Sequence, residues 1–525
     1  MSKHPTNQKT FPNRHKTLTF NIDNLYQLAN KNSTDILSDY NETTKEVQDI
    51  LKECIESNKK LRVLGGNWSW SDIIKTNGIL LDTKSLNISF TLTKSNLSEK
   101  CIYKPEDLHF CQCGVSIKEL NDLLKGMRRS LKTSGASNGQ TIAGAMSTGT
   151  HGAAIDVGAI PDYVVGIHII VSPTRQIWLE RESFPVASES FLKNIGAELV
   201  RNDDLFYAAV VSFGSFGFIH GIMVETVPLF LYEAYRFRLN PKNENLYQLM
   251  ESLDFNKVTP DLLDGKKERP YHFQTLINQY DKKNGAYINI MYKRAFESNP
   301  HYEPPVNKSG LAPGDDAPAF IGALSDAIPL IIPLFVNKII KTSYESFEKL
   351  YGSKVVWGTH GEIFSNTELH GKVLSSAMGI PLSEVNNVRK LFLKLNDING
   401  PFCGVIAFRY VKGTKATLGF TKFETTCVVE LDCVYSEKAE DFYKMFWDEM
   451  FANNIPFTFH WGKLFNLNKV QIRTMYGDNN VDAWIKARNE LMKEEASMKL
   501  FTNDLMSKLG LDTILKEDGP LVDND

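Results

Sequence analysis

Cysteine is scarce in this chain: seven residues among 525, at positions 54, 101, 111, 113, 403, 427 and 433. The odd number and scattered spacing exclude a disulfide-stapled secreted scaffold and point to a reducing, cytoplasmic setting. An excess of charge is missing too. With 59 Lys+Arg against 62 Asp+Glu the formal net charge is −3, so nothing marks the chain for nucleic acid. Met1 to Lys16 is polar and basic, and neither a secretory signal nor an anchor is expected there. Neither GxGxxG nor GxxxxGK[ST] occurs, which leaves out the Rossmann fingerprint and the Walker loop. No metal site is expected either: Cys111 and Cys113 read as packing residues on a strand, and His220, His360 and His370 are isolated. Long apolar runs are absent but for AFIGALSDAIPLIIPLFV at 319–336, which Asp326, Pro329 and Pro333 interrupt. It reads as a buried, proline-broken helix; the alternative is contact with a membrane surface or the wall of an apolar substrate channel.

At about 150 residues per domain, this length allows two to four units. Val47, Ile50, Leu51 and Ile55 recur at helical spacing, Lys60 to Leu64 reads as a short buried strand, and Ser116 with Glu119 forms a capping box at the start of an amphipathic helix. Strands are expected at Tyr163 to Val171 and Gln176 to Glu180, and a helix, glycine turn and strand from Leu205 to Val227. Beyond Pro228 the pattern changes. Apolar faces at Val385, Val388, Leu391, Phe392 and Leu395, and at Phe442, Met445, Phe446 and Met450, predict two helices. Between them GVIAFRYV, ATLGF and TCVVELDCV predict an antiparallel sheet. The predicted class is α+β, with an α/β part at 1–234, an α+β cap at 235–454 that includes a Pro/Gly-rich loop from Glu303 to Asp316, and a tail at 455–525 with a helix near Asn479 to Lys493.

Two segments are too poor in large apolar groups to build a core. Leu64-Gly65-Gly66-Asn67-Trp68-Ser69 follows a strand, and Gln140 through Gly152 alternates small and hydroxylated residues. Such stretches let backbone amides approach a ligand and form concave anion sites, as a cofactor with a pyrophosphate and a polar ring would need.

Five motifs then occur in order: Gly65-Gly66-Asn67-Trp68-Ser69-Trp70-Ser71; Gly114-Val115-Ser116 with Leu120; Thr141-Ile142-Ala143-Gly144-Ala145 through Thr148-Gly149-Thr150-His151-Gly152; Gly214-Ser215-Phe216-Gly217-Phe218-Ile219; and His460-Trp461-Gly462-Lys463. Together they resemble the vanillyl-alcohol-oxidase-type (PCMH-type) FAD-binding oxidoreductases, in particular the sugar 1,4-lactone oxidase and alditol oxidase branch. The resemblance covers residues 41–228 and about 455–490, and only a few positions between. It implies FAD held by Gly65, Gly66, Asn67, Trp68, Ser69, Ala136, Gln140, Thr141, Gly144, Ala145, Thr148, Gly149, His151, Gly152, Phe218 and Ile219. Where the family often has a histidine bonded to the flavin, this chain has Trp68, so non-covalent FAD is expected.

The resemblance also implies oxidation of a CH–OH group, on a sugar lactone or polyol-like substrate, by hydride transfer to flavin N5. Dioxygen or another acceptor takes the electrons onward. Lys463, Arg409, Ser137 and His460 are the candidate catalytic residues: two cations would polarise the substrate oxygen, and Ser137, after Ala136, matches a substrate-contacting Ala-Ser pair. One departure bears on substrate. The family places a glutamate two residues before the arginine, on the same strand face, and here that position is Ala407. Glu430 or Asp432 on the following strand could replace it. Otherwise the substrate is a bulky apolar alcohol such as a sterol, or the protein binds flavin without turnover.

Overall fold

A glycine-turned α/β opening is followed by a large antiparallel sheet, and the chain then returns to where it began. The computed structural model describes residues 2–31, 34–256, 268–305, 314, 355–368 and 372–515. The apolar run at 319–336, most of the Glu303–Asp316 loop and His370 lie outside them.

The helix Ile36–Glu56 starts on Asp35, whose carboxylate accepts from Ser38 N, and buries Val47, Ile50, Leu51 and Cys54 along one face. Each buried side chain of Val or Leu size contributes about 1.5–3 kcal/mol, so this face fixes the helix on its sheet. That sheet has the order Ser2–Pro5, Asn24–Ala29, Ile79–Ser85, Leu61–Leu64, parallel except for its first pair. A second, six-stranded sheet runs Glu198–Arg201, Arg175–Glu180, Val164–Ser172, Phe218–Glu225, Leu108–Gln112, Ser89–Thr91. The helix Ile117–Gly126 carries the expected Ser116/Glu119 capping box.

The third sheet is antiparallel throughout, in the order Val356–Gly358, Phe230–Leu239, Ala286–Ala295, His272–Ile277, Gly404–Lys412, Thr425–Val434, Val373–Pro381, Thr458–Phe459. It therefore crosses both expected limits of the cap, since its strands begin at Phe230 and end with Thr458–Phe459. The strand expected at Ala416 to Phe420 is instead an irregular loop. Its carbonyls are claimed by side chains rather than by a ladder: Leu418 O accepts from Trp461 Nε1 and Phe420 O from Thr458 Oγ1.

One face of this sheet packs Ile406, Phe408, Tyr410, Val429, Leu431 and Cys433 against Val388, Phe392, Phe442 and Phe446 of the helices Val385–Asn399 and Glu437–Ala452. By strand alternation the other face carries Ala407, Arg409, Glu430, Asp432 and Ser375. The tail closes the chain on itself: Trp484 Nε1 donates to Val211 O, Arg488 Nε to Ser215 O, and Asn503 Nδ2 to Ile73 O.

Histidines are packed into all this. Burial pulls His15, His272 and His360 down to about 3 and His109 and His168 to about 4, and takes His220 and His460 well below 6.5. Tyr40 stacks on His220 at 4.0 Å and its hydroxyl lies 2.6 Å from His168 Nδ1. In the unfolded chain these rings take up protons near 6.5, so below that pH the unfolded state binds more protons than the folded one. Each ring then removes about 1.4 kcal/mol of stability per unit of pH until its folded value is reached. The thermal midpoint should fall progressively from about pH 6.5 toward 4, with uptake of several protons on unfolding; a flat midpoint across that window would contradict the buried-histidine account.

Candidate functional site

The strand Leu61–Leu64 ends directly in the Gly65–Gly66 turn, and Asn67 follows at φ 60, a left-handed conformation that asparagine tolerates. A Cβ on Gly65 would meet Thr141 Oγ1 at 2.2 Å, and one on Gly66 the Gly139 carbonyl oxygen at 2.6 Å. The two small-residue segments of the sequence thus touch through bare backbone. Thr141 Oγ1 accepts from Gly144 N at 3.3 Å at the start of the short helix Ile142–Thr148, and Ile142 N and Ile117 N tie this loop to Val115 O and Gln140 O.

Between these segments opens a cavity with about 1470 Å³ of empty space, its mouth included. Its wall is drawn from both glycine-rich segments and from the large antiparallel sheet. Of the expected residues, Gly65, Gly66, Asn67, Trp68, Ser69, Ala136, Ser137, Gln140, Thr141, Gly144, Ala145, Thr148, His151, Ile219, Arg409, His460 and Lys463 all line it. Gly149, Gly152 and Phe218 lie off its wall. Gly149 ends the helix in the left-handed conformation against Phe420, Gly152 packs on Thr133 and Ser134, and Phe218 belongs to a hydrophobic cluster. The side-chain atoms Asn67 Oδ1, Trp68 Nε1 and Gln140 Oε1 are buried without a hydrogen-bond partner. A ligand with amide-like edges and hydroxyls would satisfy them, so the residues present fit FAD.

At one end the cavity becomes charged. Arg409 Nη2 lies 3.0 Å from Glu430 Oε2, while Lys463 Nζ stands 4.0 Å and His151 Nε2 3.9 Å from Glu430 Oε1. Glu430 is 2% exposed, and such burial of a carboxylate is sustained only by this array of cations and donors. Of the two acidic residues that could stand in for the glutamate absent at Ala407, Glu430 is the one that faces Ala407 directly on the adjacent strand. Arg409 is accordingly half of an ion pair, not an isolated cation. Asp432 is engaged elsewhere, accepting from Ser375 Oγ at 2.5 Å.

His460 Nδ1 accepts from Gly462 N at 2.9 Å, which leaves the proton of the neutral ring on Nε2. Burial holds this ring neutral, helped by the neighbouring His151, Lys463 and Arg409. His151 Nδ1 faces Gly152 O at 2.8 Å, a carbonyl that can only accept, so its Nε2 turns toward Glu430. Lys463 Nζ sits 4.5 Å from the centroid of the Trp70 ring, whose other contacts include stacking on His15 at 3.5 Å. The start of the chain is thereby drawn into the site: Arg14 covers the Trp68 ring at 4.8 Å and donates to Thr367 O.

Asn366 and Glu368 also line the cavity, from a segment that carries no motif. Asn366 O accepts from Asn138 N at 2.7 Å, and His360 of the same segment lies 2.7 Å from Ser134 Oγ. No periodicity in the sequence marks these contacts. Among the described residues no group of three His, Cys, Asp or Glu side chains could hold a metal ion, and no helix is long and apolar enough to cross a membrane.

The FAD binding domain family matches residues 40–178. The L-gulono-1,4-lactone dehydrogenase of Mycobacterium tuberculosis is 23% identical over 238 residues, 45% of this chain and 45% of the relative. The D-arabinono-1,4-lactone oxidase of Kluyveromyces lactis is 26% identical over 185 residues, 35% of this chain and 31% of the relative. The chain thus spans less than half the length of these relatives. In fold it is similar to a cholesterol oxidase variant from Brevibacterium sterolicum, with TM-score 0.67 and 15% identity over 97% of each chain.

Because a Cβ on Gly66 would run into the Gly139 carbonyl oxygen at 2.6 Å and the Trp68 ring at 2.9 Å, Gly66→Ala should purify with much less bound flavin per protein in its visible spectrum. Full occupancy in that variant would remove the turn from the cofactor cradle.

Proposed function

We propose that this chain, whose motifs resemble the vanillyl-alcohol-oxidase-type FAD-binding proteins of the sugar 1,4-lactone oxidase branch, oxidises a CH–OH group of a small hydroxylated substrate, lactone or polyol in type. The observation that carries this reading is the buried Arg409–Glu430–Lys463 group at the end of the cofactor cavity. FAD, when bound, supplies the acceptor for the hydride leaving the carbinol carbon. The substrate hydroxyl donates to Glu430 Oε1, the oxygen not taken by Arg409, and its proton passes to that carboxylate as the carbonyl product forms. Arg409 and Lys463 hold the oxygen and stabilise the negative charge it develops. The neutral His460 adds no charge of its own to the wall, His151 packs beside it, and Ala136 and Ser137 close the wall on the side of the cofactor cradle. Electrons then leave to dioxygen or another small acceptor.

The same reading divides the chain into an FAD-binding part at 1–234 completed by 455–525, and a substrate-facing part at 235–454 whose sheet straddles both limits. It also makes the cofactor non-covalent. Trp68 occupies the position of the family's flavin-bonded histidine, and its ring is enclosed by Gly66, Gly139 and Arg14.

Two measurements test these proposals. Acid precipitation should release all yellow colour to the supernatant; a yellow pellet would show a covalent flavin. Anaerobic mixing with aldonolactones, alditols and sterols should bleach the flavin with the first two classes only, and Glu430→Gln should slow that bleaching at least about 100-fold, as expected for loss of a general base. Bleaching by a sterol, or a full rate in Glu430→Gln, would overturn the assignment.

A further inference from the structure

A lysine ammonium is a point charge on a flexible stem, so its position is set by whatever its neighbours impose. For Lys463 the hydrogen-bonded neighbour is not the ion-pair network but a serine. Nζ donates to Ser375 Oγ at 2.7 Å, and that hydroxyl donates in turn to Asp432 Oδ1 at 2.5 Å. Ser375 and Asp432 face each other on the adjacent strands Val373–Pro381 and Thr425–Val434, and both are fully buried. Leu464 N donates to Ser375 O at 2.9 Å, so the backbone beside Lys463 is pinned on the same residue that receives its ammonium.

We propose that Ser375 and Asp432 are a positioning pair, in which the carboxylate acts through the serine hydroxyl to hold the Lys463 ammonium at the reaction centre. The inference rests on the reading of Lys463 given above. A hydroxyl has one proton. Donated to Asp432, it leaves only lone pairs toward Lys463, so the carboxylate dictates that the serine can do nothing there but accept. Charge at each end of the chain shortens and strengthens both bonds. The pair also keeps two functions apart. Glu430 Oε1 is only 4.0 Å from Lys463 Nζ; without Ser375 as acceptor, the ammonium relaxes onto Glu430 and blunts the carboxylate that is to receive the substrate proton. With the pair intact, Lys463 is restrained by a different carboxylate from the one that reacts.

The test uses the FAD-loaded protein and sulfite, an anion that adds reversibly to the oxidised flavin ring, bleaches its visible band and is stabilised by positive charge beside the ring. Lys463→Met should weaken sulfite binding. Ser375→Ala and Asp432→Asn should each weaken it about tenfold, the equivalent of about 1.4 kcal/mol, and Ser375→Thr, which keeps the hydroxyl, should restore it. In a Lys463→Met background Ser375→Ala should have no further effect, which separates action through the lysine from a general loss of packing. Two results would overturn the pair: unchanged sulfite affinity in Ser375→Ala while Lys463→Met weakens it, or an equal loss from Ser375→Ala with and without the lysine. Unchanged affinity in Lys463→Met would instead remove the assigned role of Lys463, and the pair with it.

Discussion

A carboxylate taken out of water must be surrounded by donors and cations or it will not stay charged, and Glu430 is the place where this protein meets that demand. Arg409 comes from the neighbouring strand and Lys463 from the turn after Thr458–Phe459, while the His151 ring packs beside Glu430 from the loop after Ile142–Thr148. Three distant stretches of sequence therefore have to converge on one side chain. Removing one partner of such a buried pair leaves the other uncompensated, at a cost of about 3–5 kcal/mol. The charged end of the cavity is accordingly a structural constraint as much as a chemical one.

That convergence depends on how the chain returns. The His460–Lys463 turn is tied to the opening motif, since Trp70 N donates to Gly462 O and Ser71 Oγ to Trp461 O. It is equally tied to the large sheet, where His460 N donates to Ala377 O. Beneath it, Trp461 packs on Phe213, and Trp484 stacks on the same ring. The buried Arg62 spans these layers with bonds to Gly214 O and Phe501 O. The glycine-lined part of the cavity and its charged end share this turn, so neither can shift without the other.

What the sequence disclosed follows from this arrangement. The cradle was legible because close backbone contact demands glycine and small hydroxylated residues at fixed spacing, as at Gly65, Gly66 and Thr141. The helices Val385–Asn399 and Glu437–Ala452 were legible because a buried face imposes a period. Ala416 to Phe420 misled, since its apolar residues are buried by a loop whose carbonyls are bound by Trp461 and Thr458, and alternation alone carries no record of that. Asn366 and Glu368 reach the cavity from a segment with neither period nor motif. His15 and Arg14 were invisible for the same reason: their importance lies in stacking on Trp68 and Trp70, which only the fold brings near. The resemblance pointed to the residues that line the cavity, but along a single strand it showed a missing glutamate.

The exchange of Ala407 for Glu430 shows why reading along one strand was not enough. Residues directly opposite on antiparallel strands have Cα atoms about 4.5–5.5 Å apart and project to the same face. A glutamate side chain is long enough to cover that displacement, so a carboxylate moved to the partner strand can serve nearly the same volume. The rung, here Ala377, Glu430, Ala407 and Leu276 across four strands, sets Glu430 beside the position of Ala407. Its other members are small or apolar, which leaves the space beside Arg409 to Glu430. One rung on, Ser375 and Asp432 face each other in the same way, and the second carboxylate is directed to Lys463 instead. In the proposed reading two acidic residues on alternate positions of one strand divide two tasks, because alternation keeps them on one face and the pairing register gives each a different neighbour.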